Sequence, residues 1–168
     1  MRVLGIDCGT EFTGYGVVEQ HENGRLNFVV SGAIQLAKRE PMPKRLATVF
    51  ADLSHVIFAT SPHMVAIEEV FYSVNAKSAL KLGQVRGVAM LAASSAGLEV
   101  AEYSPLSIKS AVVGYGKAEK IQVQHMVAHL LGLSEPPQPA DAADALAIAI
   151  CHLHTHATIK RYEVAGRG

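Results

Sequence analysis

Cysteine is nearly missing from these 168 residues; only Cys8 and Cys151 are present. Two isolated thiols fit a reducing compartment better than a disulfide framework. No apolar run approaches the ~20 residues that a membrane-spanning helix needs. The start, Met1-Arg2-Val3, enters a strand pattern at once, so no signal peptide is expected. The expectation is a cytoplasmic protein with no membrane contact. An excess of either charge is missing too. Fifteen basic residues stand against fifteen acidic ones, which taken alone argues weakly against a nucleic-acid partner. What remains is an apolar globular composition, 49% hydrophobic and 18% charged. It suits one domain with a sizeable core.

The pattern along the chain alternates strands and helices. Residues 2–7 read as a short strand, apolar on both faces and therefore central in a sheet. Residues 14–20 and 26–36 read as two more, joined through His21-Glu22-Asn23-Gly24 with its Asn-Gly hairpin signal. A helix is expected from about Pro43 to Thr60, stopped by Ser61-Pro62. Strand four covers 64–69 and strand five 98–103, with a long helix over 76–96 between them. Helices then follow over 105–113, 118 to about 131, and 140 to about 156. The fold class is α/β: a mixed sheet of three antiparallel and two parallel strands, flanked by helices. Residues 1–156 form the single domain, and 157–168 a loosely held tail.

Four carboxylates sit where a carboxylate is expensive. Asp7 ends the apolar run Val3-Leu4-Gly5-Ile6, and Glu68 follows Met64-Val65-Ala66-Ile67. Asp141 and Asp144 are the only charges between Ala140 and Cys151. An unpaired buried carboxylate costs several kcal/mol or takes up a proton. A hard divalent cation compensates such a group, and Mg²⁺ is bound by carboxylates together with substrate phosphates. The strands ending in Asp7 and Glu68 run parallel, so both acids emerge on one edge. Asp141 and Asp144, three apart on a helix, share a face. Four such acids suit two Mg²⁺ ions ~4 Å apart, one activating water and one stabilising the leaving oxygen of a phosphoryl displacement. Blander readings stand beside this one. Asp141 in a first helical turn suits the helix dipole, Asp7 before Gly9 suits a turn, and Glu69 competes with Glu68 from the opposite strand face. His152 and His156, four apart near the expected end of the last helix, are read as favouring its dipole rather than as metal ligands.

If metal neutralises four of the 15 acids, 11 face 15 bases, a balance of +4. The bases cluster: Lys38, Arg39, Lys44 and Arg45; Lys77, Lys81 and Arg86; Lys109, Lys117 and Lys120. The second and third clusters adjoin Gly- and Asn-containing loops and are candidate phosphate contacts; the alternative is a solvated face.

The segments Leu4-Gly-Ile-Asp-Cys-Gly9, Thr13-Gly-Tyr-Gly-Val17, Ala66-Ile-Glu-Glu-Val-Phe71, Asn75-Ala-Lys-Ser-Ala-Leu-Lys-Leu-Gly-Gln84, Ala118-Glu-Lys120, Gln122-Val-Gln-His-Met126 and Ala140-Asp-Ala-Ala-Asp-Ala-Leu-Ala-Ile-Ala149 resemble the RuvC family, bacterial endonucleases that resolve Holliday junctions. The resemblance spans nearly the whole chain. It implies an RNase H-like fold, a homodimer, and cooperation with the RuvA and RuvB branch-migration proteins. It implies Mg²⁺, with Mn²⁺ as a substitute, held by Asp7, Glu68, Asp141 and Asp144, and so selects Glu68 over Glu69. Lys109 and Lys120 match basic residues near the scissile phosphate. Phe71 falls in the loop that family members use at the junction centre, where an aromatic stacks on an unpaired base. Asn75, Lys77, Lys81 and Arg86 are then further DNA contacts. One departure is visible: Cys8 stands where the family usually has proline, which places a thiol next to the expected metal site.

Three other readings compete. Asp7-Cys-Gly-Thr10 also resembles the phosphate-binding hairpin of actin-type and sugar-kinase enzymes, but these need a second domain for which the chain has no room. A non-catalytic junction-binding protein would gain nothing from four acids beside phosphate. Another RNase H-fold nuclease differs in substrate.

Overall fold

Alternating strand residues build two cores, one on each face of a single sheet. The computed structural model describes residues 1–69 and 75–165. Its elements run β1 (Arg2–Asp7), β2 (Phe12–Gln20), β3 (Leu26–Gln35), α1 (Met42–Thr60), β4 (Met64–Glu68), α2 (Ala76–Ser95), β5 (Val100–Tyr103), α3 (Pro105–Val113), α4 (Lys120–Leu131) and α5 (Ala140–Ala165). The strand order is β3-β2-β1-β4-β5. β1, β2 and β3 form the expected antiparallel meander, and β1–β4 and β4–β5 are parallel.

Leu4, Ile6, Val17, Val65 and Ile67 pack on one face with the buried stripes of α1 and α2. Val3, Val18 and Ala66 pack on the other with α3, α4 and α5. This alternation is the two-residue period of a strand. It also fixes the side to which the strand ends deliver their last residues. Asp7 continues the Val3–Gly5 set and Glu68 continues Ala66, so both carboxylates leave on the α5 side.

α5 is the central element of that side. From Ala142 to Leu153 every residue except Asp144 is buried, because the sheet covers one flank and α3 and α4 cover the other. Glycines make the approach possible. A Cβ on Gly5 would overlap the Ala145 carbonyl, and one on Gly14 would overlap the Asp141 carbonyl. The helix therefore rests on the backbone of β1 and β2 rather than on their side chains.

Several boundaries differ from expectation. β2 begins at Phe12, two residues early, and β5 at Val100. α4 begins at Lys120 rather than 118, because the Glu119 backbone N–H donates to Gln122 Oε1 at 2.9 Å and marks the cap one residue before the helix. The largest difference is α5, which runs to Ala165 instead of ending near 156. No Gly or Pro stands between Ala140 and Gly166 to end it. Helical backbone thus occupies most of the segment expected as a loose tail.

Candidate active site

Asp7 and Glu68 are the last residues of adjacent parallel strands, where Ile6 stands opposite Ile67. Asp144, in the second turn of α5, faces them. These three acids line one cleft of ≈ 340 Å³ together with Lys109 from α3 and Lys120, the first residue of α4. Ile108, Val123 and Ile148 supply apolar wall. Pro105 opens α3 at its first turn, where a missing N–H is harmless. Ser104 caps the helix by accepting from the Ser107 N–H at 3.1 Å, which sets the direction from which Lys109 enters.

Electrostatics sets this cleft apart. Burial, then Asp144, Glu68 and Asp141 in turn, push the Asp7 carboxyl up to about 7 from 3.8, and Lys120 opposes them. Burial, then Asp144, also raise Glu68, against Lys120 and Lys109. Lys120 Nζ lies 2.5 Å from Asp144 Oδ2, and that hydrogen bond raises the lysine. One exposed ammonium is thus shared by a cluster of acids it does not neutralise. The donor set fits a hard cation: oxygens only, partly buried and mutually repelling. Among the described residues no three His, Cys, Asp or Glu side chains already close on one point. Mg²⁺ does not demand such a cage, since one or two carboxylates with water and substrate phosphate commonly suffice.

The expected residues separate into groups. Asp7, Glu68, Asp144, Lys109 and Lys120 come together. Asp141 stands at the margin, against β2 at Gly14, yet near enough to act on Asp7 and Lys120. Lys77 and Lys81 are exposed on the first turns of α2. Asn75 caps that helix, its Oδ1 accepting from the Lys77 and Ser78 N–H groups at 3.0 and 3.4 Å. Phe71 lies outside the described residues. Arg86, expected among the DNA contacts, is bound within the subunit: it pairs with Glu102 and donates from Nε to the Glu68 carbonyl at 3.3 Å. Cys8 packs with the α1/α2 core, one residue out of phase with Asp7 and so on the other face. Burial, then Asp7, push its thiol up to about 12, which keeps it protonated at neutral pH.

Sequence reasoning missed three features. Arg45 of α1 reaches the Thr10 carbonyl and ties down the turn after Asp7; the basic cluster containing it gave no sign of a backbone partner. Glu102 as the partner of Arg86 needs the β4–β5 register, which periodicity does not supply. His152 does not serve a helix end, because α5 continues past it; it is buried, with Nδ1 2.8 Å from the Tyr103 hydroxyl.

A family model described as Crossover junction endodeoxyribonuclease RuvC matches residues 3–152. A protein so named from Koribacter versatilis is 63% identical over 161 residues, covering 96% of this chain and 97% of that one. The structure of Thermus thermophilus RuvC aligns with a TM-score of 0.87 at 35% identity, over 94% of this chain and 96% of that one. T. thermophilus RuvC in complex with Holliday junction substrate aligns with a TM-score of 0.87 at 32% identity, with the same coverage. The shared architecture, with its mixed five-stranded sheet, is RNase H-like. Identity at this level across nearly the full length of both chains carries more than a common fold: the chain belongs to the RuvC family of crossover junction endodeoxyribonucleases.

Proposed function

We infer that this chain is a structure-specific endonuclease that resolves Holliday junctions in recombination and DNA repair. It hydrolyses phosphodiester bonds in two opposite strands of four-way DNA and leaves ligatable nicks. The carrying observation is the convergence of Asp7, Glu68 and Asp144 with Lys109 and Lys120 on one cleft, in a member of a crossover junction endonuclease family. The relative solved with its Holliday junction substrate supports four-way DNA as the substrate here.

The reaction uses a divalent cation. Our reading is Mg²⁺, two ions per subunit, held by Asp7, Glu68, Asp141 and Asp144, with Mn²⁺ able to substitute; the all-oxygen donor set supports it. Bound there, such a cation would polarise the scissile phosphoryl group and lower the pKa of the attacking water. In the hydrolysis one P–O bond forms to the water oxygen while another breaks to the leaving strand oxygen. Negative charge builds on the phosphoryl oxygens between these events, and Lys109 and Lys120 offset it from the cleft walls. Lys120 now rests on Asp144; a cation held by Asp144 would compete for that carboxylate and leave the ammonium available to phosphate. Ile108, Val123 and Ile148 limit water around these charges and so strengthen each interaction.

Two sites are needed for two cuts, and a two-fold homodimer matches the approximate two-fold symmetry of the junction. α2 supports this reading. Its Val85, Ala89 and Ala93 are buried within the subunit, whereas Leu80, Gly83, Gly87 and Leu91 are exposed along one stripe, open for an isologous contact. Phe71, Asn75, Lys77 and Lys81 would meet DNA beside that helix. Cooperation with RuvA and RuvB, and a cytoplasmic location supported by two free thiols, follow from the same reading. No described helix is long and apolar enough to cross a membrane.

The test is cleavage of a branch-migratable four-way junction with and without Mg²⁺, beside linear duplex and RNA–DNA hybrid. Paired, Mg²⁺-dependent nicks confined to the junction are expected. Tight junction binding without cleavage in Mg²⁺ or Mn²⁺ would leave a binding protein, and preference for the hybrid would overturn the substrate.

A further inference from the structure

Arg86 is held beneath the catalytic edge of the sheet, on the face opposite the cleft. Its side chain is only 18% exposed, and each of its three guanidinium nitrogens has a contact within the subunit. It pairs with the Glu102 carboxylate, lies 3.7 Å from Met90 Sδ, and donates from Nε to the Glu68 carbonyl oxygen at 3.3 Å. The strand register explains why these groups meet. Glu102 stands opposite Ile67 in the β4–β5 ladder, and Ile67 belongs to the core on the α1/α2 face. Glu102 therefore points toward α2. Glu68, one residue on, sends its carboxylate the other way, into the cleft, while its carbonyl remains within reach of Arg86.

Glu68 is the last residue of β4; the peptide group that follows it is held at its N–H by a ladder bond from Glu69 to the Tyr103 carbonyl, 2.8 Å long, and at its carbonyl by Arg86. A charged donor on the Glu68 carbonyl fixes the peptide plane from which the Glu68 side chain projects. An arginine is suited to this task because its planar fork can hold a carboxylate and a carbonyl at once, which an ammonium cannot do with the same geometry. We propose that Arg86, anchored by Glu102, is a positioning residue for Glu68: it holds the carboxylate in register for the cation and does not itself touch DNA. The inference rests on the reading of Glu68 as a metal-holding acid. It also makes α2, the helix that carries the candidate junction contacts, mechanically continuous with the metal site.

R86K and E102Q test this. R86K keeps a positive charge near Glu102 but loses the fork; E102Q keeps the arginine but weakens its anchor, and serves if R86K does not fold. Three quantities are measured on the full-length protein: Mn²⁺ binding without DNA by electron paramagnetic resonance, the Mg²⁺ concentration at half-maximal cleavage, and the salt dependence of junction binding without divalent metal. A positioning role predicts that both metal midpoints rise about 10-fold in R86K, less in E102Q, with cleavage recovering at saturating Mg²⁺. Junction affinity and its salt slope stay unchanged. A salt slope reduced by about one with unmoved metal midpoints would make Arg86 a phosphate contact and overturn the proposal. Unchanged values throughout would reduce the pair to packing and overturn it as well. Failure of the underlying reading looks different: the unsubstituted protein would then bind no Mn²⁺ and cleave without divalent cation.

Discussion

α5 carries two polar clusters on one buried helix, and they are handled in opposite ways. Near its start, Asp144 faces Asp7 and Glu68 across a cleft, and the repulsion is left standing except for the exposed Lys120. Two turns on, His152 is buried but paired with the Tyr103 hydroxyl at 2.8 Å. Its ring meets Tyr103 edge-on at 5.9 Å and stacks with His156 at 6.1 Å. Burial, then His156, lower the His152 pKa, so the imidazole stays neutral and works as a hydrogen-bonding core residue. The second cluster draws its partners from within the fold, leaving only His152 Nε2 without one among the described residues, and specifies packing. The first is completed only by something from outside, and folding leaves it strained. An unsatisfied group of like charges points to function, whereas a satisfied network points to structure.

The sharpest way to break this contrast is Asp7→Asn. We expect cleavage to fall at least ~100-fold while junction binding survives; loss of both in gel-shift assays would make Asp7 structural and erase the distinction. Next comes the frame that brings the acids together. Gly14→Val places a side chain where the Asp141 carbonyl now lies, and should cost ~2–4 kcal/mol in urea denaturation. A wild-type midpoint would mean that α5 does not depend on its backbone contact with β2.

A third test uses pH. The Asp7 carboxyl is held at about 7 in the fold against 3.8, so between these values the folded protein keeps a proton that the unfolded chain has released. The metal-free protein therefore loses stability as pH climbs from about 4 through 7. Asp7→Asn should flatten that decline and stabilise the metal-free protein at pH 8 by ~1–3 kcal/mol. Added Mg²⁺ should restore the unsubstituted protein; parallel melting curves of the two proteins across this range would refute the electrostatic account. The smallest effect belongs to the His152 cluster. Tyr103→Phe leaves His152 Nδ1 without its partner and should cost ~1 kcal/mol, with cleavage per folded molecule unchanged. A shift in metal dependence instead would show that the two ends of α5 are coupled.

Much of this contrast could be read from the residues alone. Asp7 and Glu68 stood out because each closed an apolar run, and β1–β4 parallelism put them on one edge. The meander was legible from alternation and from Asn23-Gly24. What could not be read has a common cause: it depends on partners far apart in sequence. Arg86 looked like a member of a basic cluster because Glu102 and the Glu68 carbonyl meet it only through the sheet register. His152 looked like a residue at a helix end because the stretch before it is apolar nearly all round and shows no amphipathic stripe from which the helix can be followed further. Asp141 and Asp144 looked equivalent by spacing, and only the position of β2 puts Asp141 at the margin.

The parallel pairing of β1 with β4 has a last consequence. Asp7 and Glu68 leave neighbouring strands, so the width of the site at that point is the spacing of a hydrogen-bonded ladder, ~4.8 Å. That width is a property of peptide groups, whatever side chains surround them. Core substitutions that shrink or swell the packing behind the sheet will therefore erode the lifetime of the fold well before they alter the gauge against which the cation is measured.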